Sequence, residues 1–349
     1  MAVASGSVAF QSGYIKSARG VKLFTCSWLP ANQEVKALVF LCHGYGVECS
    51  IFMRGTGTRL AQAGYAVFGI DYEGHGKSEG AVCLVERFSD VVDDCSSYFR
   101  SIRGNYNALG SISHDRTPVE MPDYKNKARF LYGESMGGAV ALLIHRKEPM
   151  DWNGAVLVAP MCKISEKLKP HPVIVSILTR LSPLIKSWKI VPSKNIIDHA
   201  FKDPIKRDEI RANPYVYQDK PRVQTALQMM VASTDLEQRL DEVTFPFLVV
   251  HGKEDTVTDP ACSVELHKRA RSTDKTLNLY PEMWHGLTVG ESDENIERVF
   301  ADIVAWLNLR SPAGALTAKT LQQSDLKMVI DDHKLTASNG VCNNNHSFN

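Results

Sequence analysis

One six-residue stretch, Gly133-Glu134-Ser135-Met136-Gly137-Gly138, constrains this chain more than any other. Before it runs Ala128-Arg129-Phe130-Leu131-Tyr132, short enough for a buried strand. After it runs Ala139-Val140-Ala141-Leu142-Leu143-Ile144, long and unbroken enough to predict a helix. A Gly-x-Ser-x-Gly between a strand and a helix predicts a tight, strained turn that lifts the serine hydroxyl out of the sheet edge. Glycines at 133 and 137 fit, because a Cβ at either place would crowd the neighbouring strand and helix. The bland alternative is a glycine-rich turn that happens to hold a serine. The flanking elements favour the reactive reading, so Ser135 is the candidate nucleophile.

The surrounding pattern is an alternation of strands and helices. Residues 12–16 and 21–28 read as a hairpin turning at Arg19-Gly20. Val35–Cys42 is almost wholly apolar, as expected of a parallel strand covered on both faces. It ends in His43-Gly44-Tyr45-Gly46. A helix near 53–62 and a buried strand over 64–71 follow, ending in Gly74-His75-Gly76-Lys77-Ser78. Phe88, Val91, Val92, Cys95, Tyr98 and Phe99 recur at helical spacing over 87–103. Residues 104–127 are polar and broken by Gly and Pro, and read as a mobile surface loop. After the serine turn come a strand over 154–160, then Phe247–Gly252, a helix near 260–271, a strand over 276–280 and an amphipathic helix over 294–309.

From 161 to 243 the alternation stops and the segment is helix-rich. Ile174, Ile177, Leu178, Leu181, Leu184, Ile185 and Trp188 share one helical face, on a helix that Pro183 must kink or interrupt. Most of that stripe is expected to be buried against the core; the sharper reading is an apolar lip that dips into lipid. The expected architecture is α/β: a mostly parallel, doubly covered sheet from 10–160 and 244–310, with 161–243 inserted as a helical cap. Ligands bind such sheets at the carboxyl ends of the strands, so the cap would roof the site. The stretch 311–349 is polar and asparagine-rich, and is expected to be a disordered tail.

Several classes are excluded early. Lys and Arg number 40 against 39 Asp and Glu, without the basic excess of a nucleic-acid binder. The eight cysteines show no zinc spacing and no disulfide framework, so a reducing compartment is expected and no metal is indicated. No signal peptide, lipidation motif or retention signal stands out, and no apolar run of about 18 residues exists. The expected location is cytoplasmic, with peripheral membrane contact left open.

Serine needs a base, and the base needs an orienting acid. With a serine turn of this kind the chain order is Ser, acid, His. Asp255 follows the late strand Phe247–Gly252 and is the chosen acid; Glu254 is the weaker alternative, and Asp259 before Pro260 reads as a helix cap. His285 is the one histidine between the last strand and the final helix. Oxyanion donors are expected at the backbone N–H groups of Met136 and Tyr45. His43 and His75 stand in the wrong chain slot for a base and are read as loop-shaping.

Taken together, His43-Gly44-Tyr45-Gly46, Gly74-His75-Gly76-Lys77-Ser78, the Gly133–Gly138 turn, Asp255 and His285 resemble the monoacylglycerol lipase family of serine α/β hydrolases. The resemblance covers about residues 10–310 and is closest to the plant branch, which includes lysophospholipase-like enzymes and caffeoylshikimate esterase. It implies the α/β-hydrolase fold, hydrolysis of a carboxylic ester on a small amphipathic substrate, no cofactor, and loose membrane association through the cap. It implies Ser135 as nucleophile, His285 as base and later acid, and Asp255 as orienter. Monoacylglycerol or a lysolipid is the first substrate class, and a hydroxycinnamoyl ester such as caffeoylshikimate the second. A small-molecule receptor on a hydrolase scaffold is disfavoured because all three triad residues are present. Acyl transfer is disfavoured because no His-x-x-x-x-Asp motif occurs.

Overall fold

The computed structural model describes residues 7–103, 124–164, 171–190 and 196–311. The chain divides into two compact units, Met1–Val304 and Ala305–Asn349. Of the second, the described residues are the last turns of the C-terminal helix and Ser311. The expected tail beyond 311 and the stretch 104–123 lie outside the described residues. Tyr124, at the end of the expected mobile loop, is buried and packs against Phe68.

In the first unit the strands are β1 (Val8–Lys16), β2 (Lys22–Pro30), β3 (Ala37–Cys42), β4 (Tyr65–Ile70), β5 (Arg129–Glu134), β6 (Gly154–Val158), β7 (Phe247–Gly252) and β8 (Lys275–Tyr280). They form one sheet in the order β1-β2-β4-β3-β5-β6-β7-β8. β1 and β2 pair antiparallel, as do β2 and β4; from β4 onward all pairs are parallel. Every residue of β3, β4, β6 and β7 is buried, which is why these strands read as unbroken apolar runs.

Helices α1 (Arg54–Gln62), α2 (Phe88–Arg103) and α3 (Met136–Lys147) link the early strands; α8 (Pro260–Arg269) and α9 (Asp293–Arg310) follow β7 and β8. Phe88, Val91, Val92, Cys95, Tyr98 and Phe99 are all buried, so the spacing seen over 87–103 marks the core face of α2. The seven described cysteines are buried as well. No helix among the described residues is long and apolar enough to cross a membrane.

Between β6 and β7 lie α4 (Pro172–Ile185), α5 (Ile196–Ala200), α6 (Pro204–Ala212) and α7 (Val223–Gln238). The first of these overturns one expectation. It runs through Pro183 to Ile185, and its apolar stripe divides between the neighbouring α7 and solvent. Leu178 and Ile185 pack with Val223 and Leu227 of α7. Ile177, Leu181 and Leu184 face outward, as does Trp188 beyond the helix end; Leu184 is 82% exposed. Helical spacing identifies an apolar stripe but not what covers it, and here the neighbour is narrower than the stripe.

Register sets the site. Cys42 at the end of β3 pairs with Gly133 of β5, Glu134 pairs with Val158 of β6, and Gly252 of β7 pairs with Tyr280 of β8. The loops leaving these carboxyl ends therefore emerge side by side.

Candidate active site

Ser135 sits between β5 and α3 at φ 53° and ψ −118°, a conformation that a side-chain-bearing residue adopts only under constraint. The constraint is close packing on both sides. A Cβ on Gly133 would lie 2.4 Å from the Gly137 oxygen, and one on Gly137 would lie 1.9 Å from the Cys42 oxygen. The Ser135 amide donates to Val158 O at 3.0 Å, and its carbonyl accepts from Met161 N at 2.9 Å. The turn is thus pinned to β6 and to the start of the inserted segment.

Asp255 and His285 arrive from the ends of β7 and β8. His285 Nδ1 donates to Asp255 Oδ2 at 2.7 Å, which leaves Nε2 as the acceptor nitrogen. Asp255 is buried, and its Oδ1 accepts from the amides of Val257 at 2.7 Å and Thr258 at 3.0 Å. Burial alone would push this carboxyl up. The charge of His285 and hydrogen bonds from His251 and His285 outweigh it and hold the group well below the usual carboxylate range. Glu254 is exposed, and only Asp255 of the two candidates reaches the imidazole. Asp259 caps α8, accepting from Ala261 N at 3.0 Å with Pro260 at the first turn.

Three side chains beside this pair escaped the sequence reading. His251, inside β7, donates from Nε2 to Asp255 Oδ2 at 3.0 Å while its Nδ1 accepts from Ser263 Oγ at 2.7 Å. The Thr258 hydroxyl lies 2.9 Å from Asp255 Oδ2 and 3.1 Å from His285 Nδ1. Glu134 accepts from Tyr132 Oη and Thr288 Oγ1, each at 2.9 Å, and so ties the serine turn to the loop carrying His285. A Glu directly before the serine was visible in sequence; its partner across the site was not.

The Tyr45 amide has no acceptor among the described residues, and the Met136 amide opens α3, outside the helical ladder. His43 shapes the first of these loops. Tyr72 N donates to His43 Nε2 at 3.1 Å, so Nδ1 carries the proton and donates to Gly44 O at 2.8 Å. Burial, reinforced by His75, holds this ring well below its ordinary range and neutral. Burial likewise brings His75 down to about 4. From the inserted segment, Tyr217 N donates to Gly46 O at 2.7 Å and buttresses the loop from above.

Ser135 and His285 line one cavity of about 760 Å³. No hydrogen bond joins their side chains among the described residues; in an unliganded site this contact is commonly long and tightens with substrate. Tyr45 lines the same space, and Val175, Leu178, Leu227, Met229 and Met230 of the inserted helices supply apolar wall. Among the described residues no group of His, Cys, Asp and Glu forms a metal cage.

Known proteins resemble this chain in sequence and in fold. The family model Hydrolase_4, described as serine aminopeptidase, S33, matches residues 33–293. Caffeoylshikimate esterase of Arabidopsis thaliana is 35% identical over 296 residues, covering 84% of this chain and 84% of its own. Monoglyceride lipase of Mus musculus is 27% identical over 307 residues, covering 86% of this chain and 92% of its own. The crystal structure of a soluble variant of Saccharomyces cerevisiae monoglyceride lipase, with a substrate analogue, superposes with a TM-score of 0.70 at 20% identity, over 88% of this chain and 96% of that one. With its elbow serine, its mostly parallel eight-stranded sheet and these relatives, the chain belongs to the Hydrolase_4 family, among the α/β hydrolases similar to monoglyceride lipases and caffeoylshikimate esterase.

Proposed function

We propose that this serine hydrolase cleaves the carboxylic ester of a monoacylglycerol or lysophospholipid through an acyl-enzyme, with residues 161–243 acting as a cap over the cavity. The observation that carries the reading is the 2.7 Å contact of His285 Nδ1 with Asp255 Oδ2, His285 lining the same cavity as Ser135. Nε2 of His285 takes the proton of Ser135 as Oγ attacks the ester carbonyl. The tetrahedral oxyanion is held by the amides of Tyr45 and Met136, each worth roughly 3 kcal/mol. His285 returns the proton to the departing alcohol. A water, deprotonated in the same way, then releases the acid and restores Ser135.

The apolar cap wall suits an acyl chain, and the outward face of Ile177, Leu181, Leu184 and Trp188 suits contact with a lipid surface from which a monoacyl lipid would enter. A hydroxycinnamoyl ester is the second reading, favoured by the 35% identity to caffeoylshikimate esterase. The test is labelling by a serine-directed fluorophosphonate, together with turnover of monoacylglycerol, lysophospholipid and hydroxycinnamoyl esters. Labelling and turnover are expected in the wild type and absent in Ser135→Ala. Equal labelling or turnover of the variant removes the nucleophile, and the preferred ester decides the substrate class.

A further inference from the structure

Glu134 touches both halves of the proposed machinery without a role in it. One peptide bond separates it from Ser135, and its carboxylate accepts the hydroxyl of Thr288, three residues beyond His285. It is 8% exposed, and what exposure it has belongs to a residue lining the cavity. Both donors, Tyr132 Oη and Thr288 Oγ1, converge on the same oxygen, Oε1. No hydrogen bond of the described residues reaches Oε2. Burial pushes the carboxyl upward, against those two hydrogen bonds and the charge of His285. A carboxyl oxygen left without a protein partner in a mostly apolar cavity needs water or a polar group of the ligand to complete it, and a ligand that displaces the water must supply that group.

Which half of the ester meets it follows from the chemistry. His285 must deliver its proton to the oxygen of the departing alcohol, so that alcohol lies on the imidazole's side of the scissile bond. Glu134, tied to the His285 loop, stands on that side. The acyl half is left to the apolar walls of the cap.

We propose that Glu134 Oε2 hydrogen-bonds a free hydroxyl on the alcohol half of the substrate, so that the site selects esters of polyols over esters of simple alkanols. Oε1 is held by its two donors, which aims Oε2 without further ordering cost. The proposal rests on the ester-hydrolase reading of Ser135 and His285.

The test uses two esters with one acyl group, 1-monobutyrylglycerol and propyl butyrate, both dissolved as monomers so that no lipid interface intervenes. The readout is the ratio of their kcat/KM values, in the wild type, Glu134→Ala and Glu134→Gln, each first checked for fluorophosphonate labelling of Ser135. The wild type is expected to prefer the glycerol ester, and Glu134→Ala to lower that preference about tenfold or more, the usual effect of losing a hydrogen bond to a charged group. Glu134→Gln keeps an acceptor for Tyr132 and Thr288 and exchanges Oε2 for an amide donor, so it is expected to fold and still lower the preference several-fold. Equal losses on both esters would make Glu134 a strut for the Thr288 loop and overturn the proposal, as would an unchanged ratio. A wild type that labels but hydrolyses neither ester would overturn the ester-hydrolase reading itself, a result distinct from the other two.

Discussion

His251 Nε2 lies 3.0 Å from Asp255 Oδ2, the same oxygen that His285 Nδ1 reaches at 2.7 Å. Two imidazoles therefore share one buried carboxylate oxygen, and His251 is fixed in turn by Ser263. Since the Asp255 carboxyl is held below its ordinary range, its stabilising contribution is present above that range and is lost as pH falls below it. His251→Phe keeps a ring in the strand but leaves Asp255 short of a donor and Ser263 without its acceptor. The expected cost is about 2 kcal/mol in urea unfolding. A fall in kcat of about tenfold is also expected, as the carboxylate loses part of its aim and holds His285 less well. A variant equal to the wild type in both would show that His251 merely fills space.

The elbow is predicted to tolerate no side chain at 137. A methyl there would sit 1.9 Å from the Cys42 oxygen and 2.7 Å from the His43 oxygen, both backbone atoms of β3 and its loop. Neither can rotate away. Gly137→Ala should cost about 3 kcal/mol or more, beyond ordinary overpacking because strand backbone must shift. Soluble yield and the thermal midpoint measure it. A midpoint within a degree or two of wild type would mean that the turn is looser than its geometry.

Much of this architecture could be read from the chain because its central strands are buried on both faces. Phe247–Gly252 is apolar but for His251, and its observed bounds match the expected ones. The placing of Ser135, Asp255 and His285 was legible through chain order, since each follows the carboxyl end of a strand. The Glu134–Thr288 contact was not, because its partners are 154 residues apart and neither has a distinctive neighbourhood. His251 was hidden inside an apolar strand, where a histidine reads as packing. The outward face of α4 was misjudged because a helical period cannot say how wide the covering helix is.

A second buried carboxyl should leave a signature in the pH dependence of stability. Asp71 follows β4 and accepts from Cys49 N at 2.9 Å and Lys77 N at 3.0 Å. Burial, with a push from neighbouring Glu48 and against those amides, raises it to about 7. The folded chain thus keeps a proton that the unfolded chain releases near pH 4. Asp71 therefore costs nothing below about pH 4 and progressively destabilises the fold up to about pH 7, by as much as roughly 4 kcal/mol. Asp71→Asn cannot titrate. The difference between variant and wild type in urea midpoint should therefore shift in the variant's favour from about pH 4 to about pH 7. A difference constant across that window would place the carboxyl in its ordinary range.

The outward stripe of α4 makes the last prediction. Ile177, Leu181 and Leu184 project from one side of α4, and Trp188 is 56% exposed just beyond it. Water gains nothing from such a patch, whereas burying one leucine side chain in lipid is worth about 2 kcal/mol. Leu184→Ser should therefore weaken binding to phosphatidylcholine vesicles by about tenfold, and Leu181→Ser combined with Leu184→Ser by more. Neither residue packs against α7, so hydrolysis of a short ester dissolved in water should fall far less than hydrolysis of a monoacylglycerol presented in vesicles. Co-sedimentation and paired assays measure the two effects. If vesicle binding is the same with and without these side chains, α4 does not meet lipid through this face, and the substrate reaches the cavity from solution.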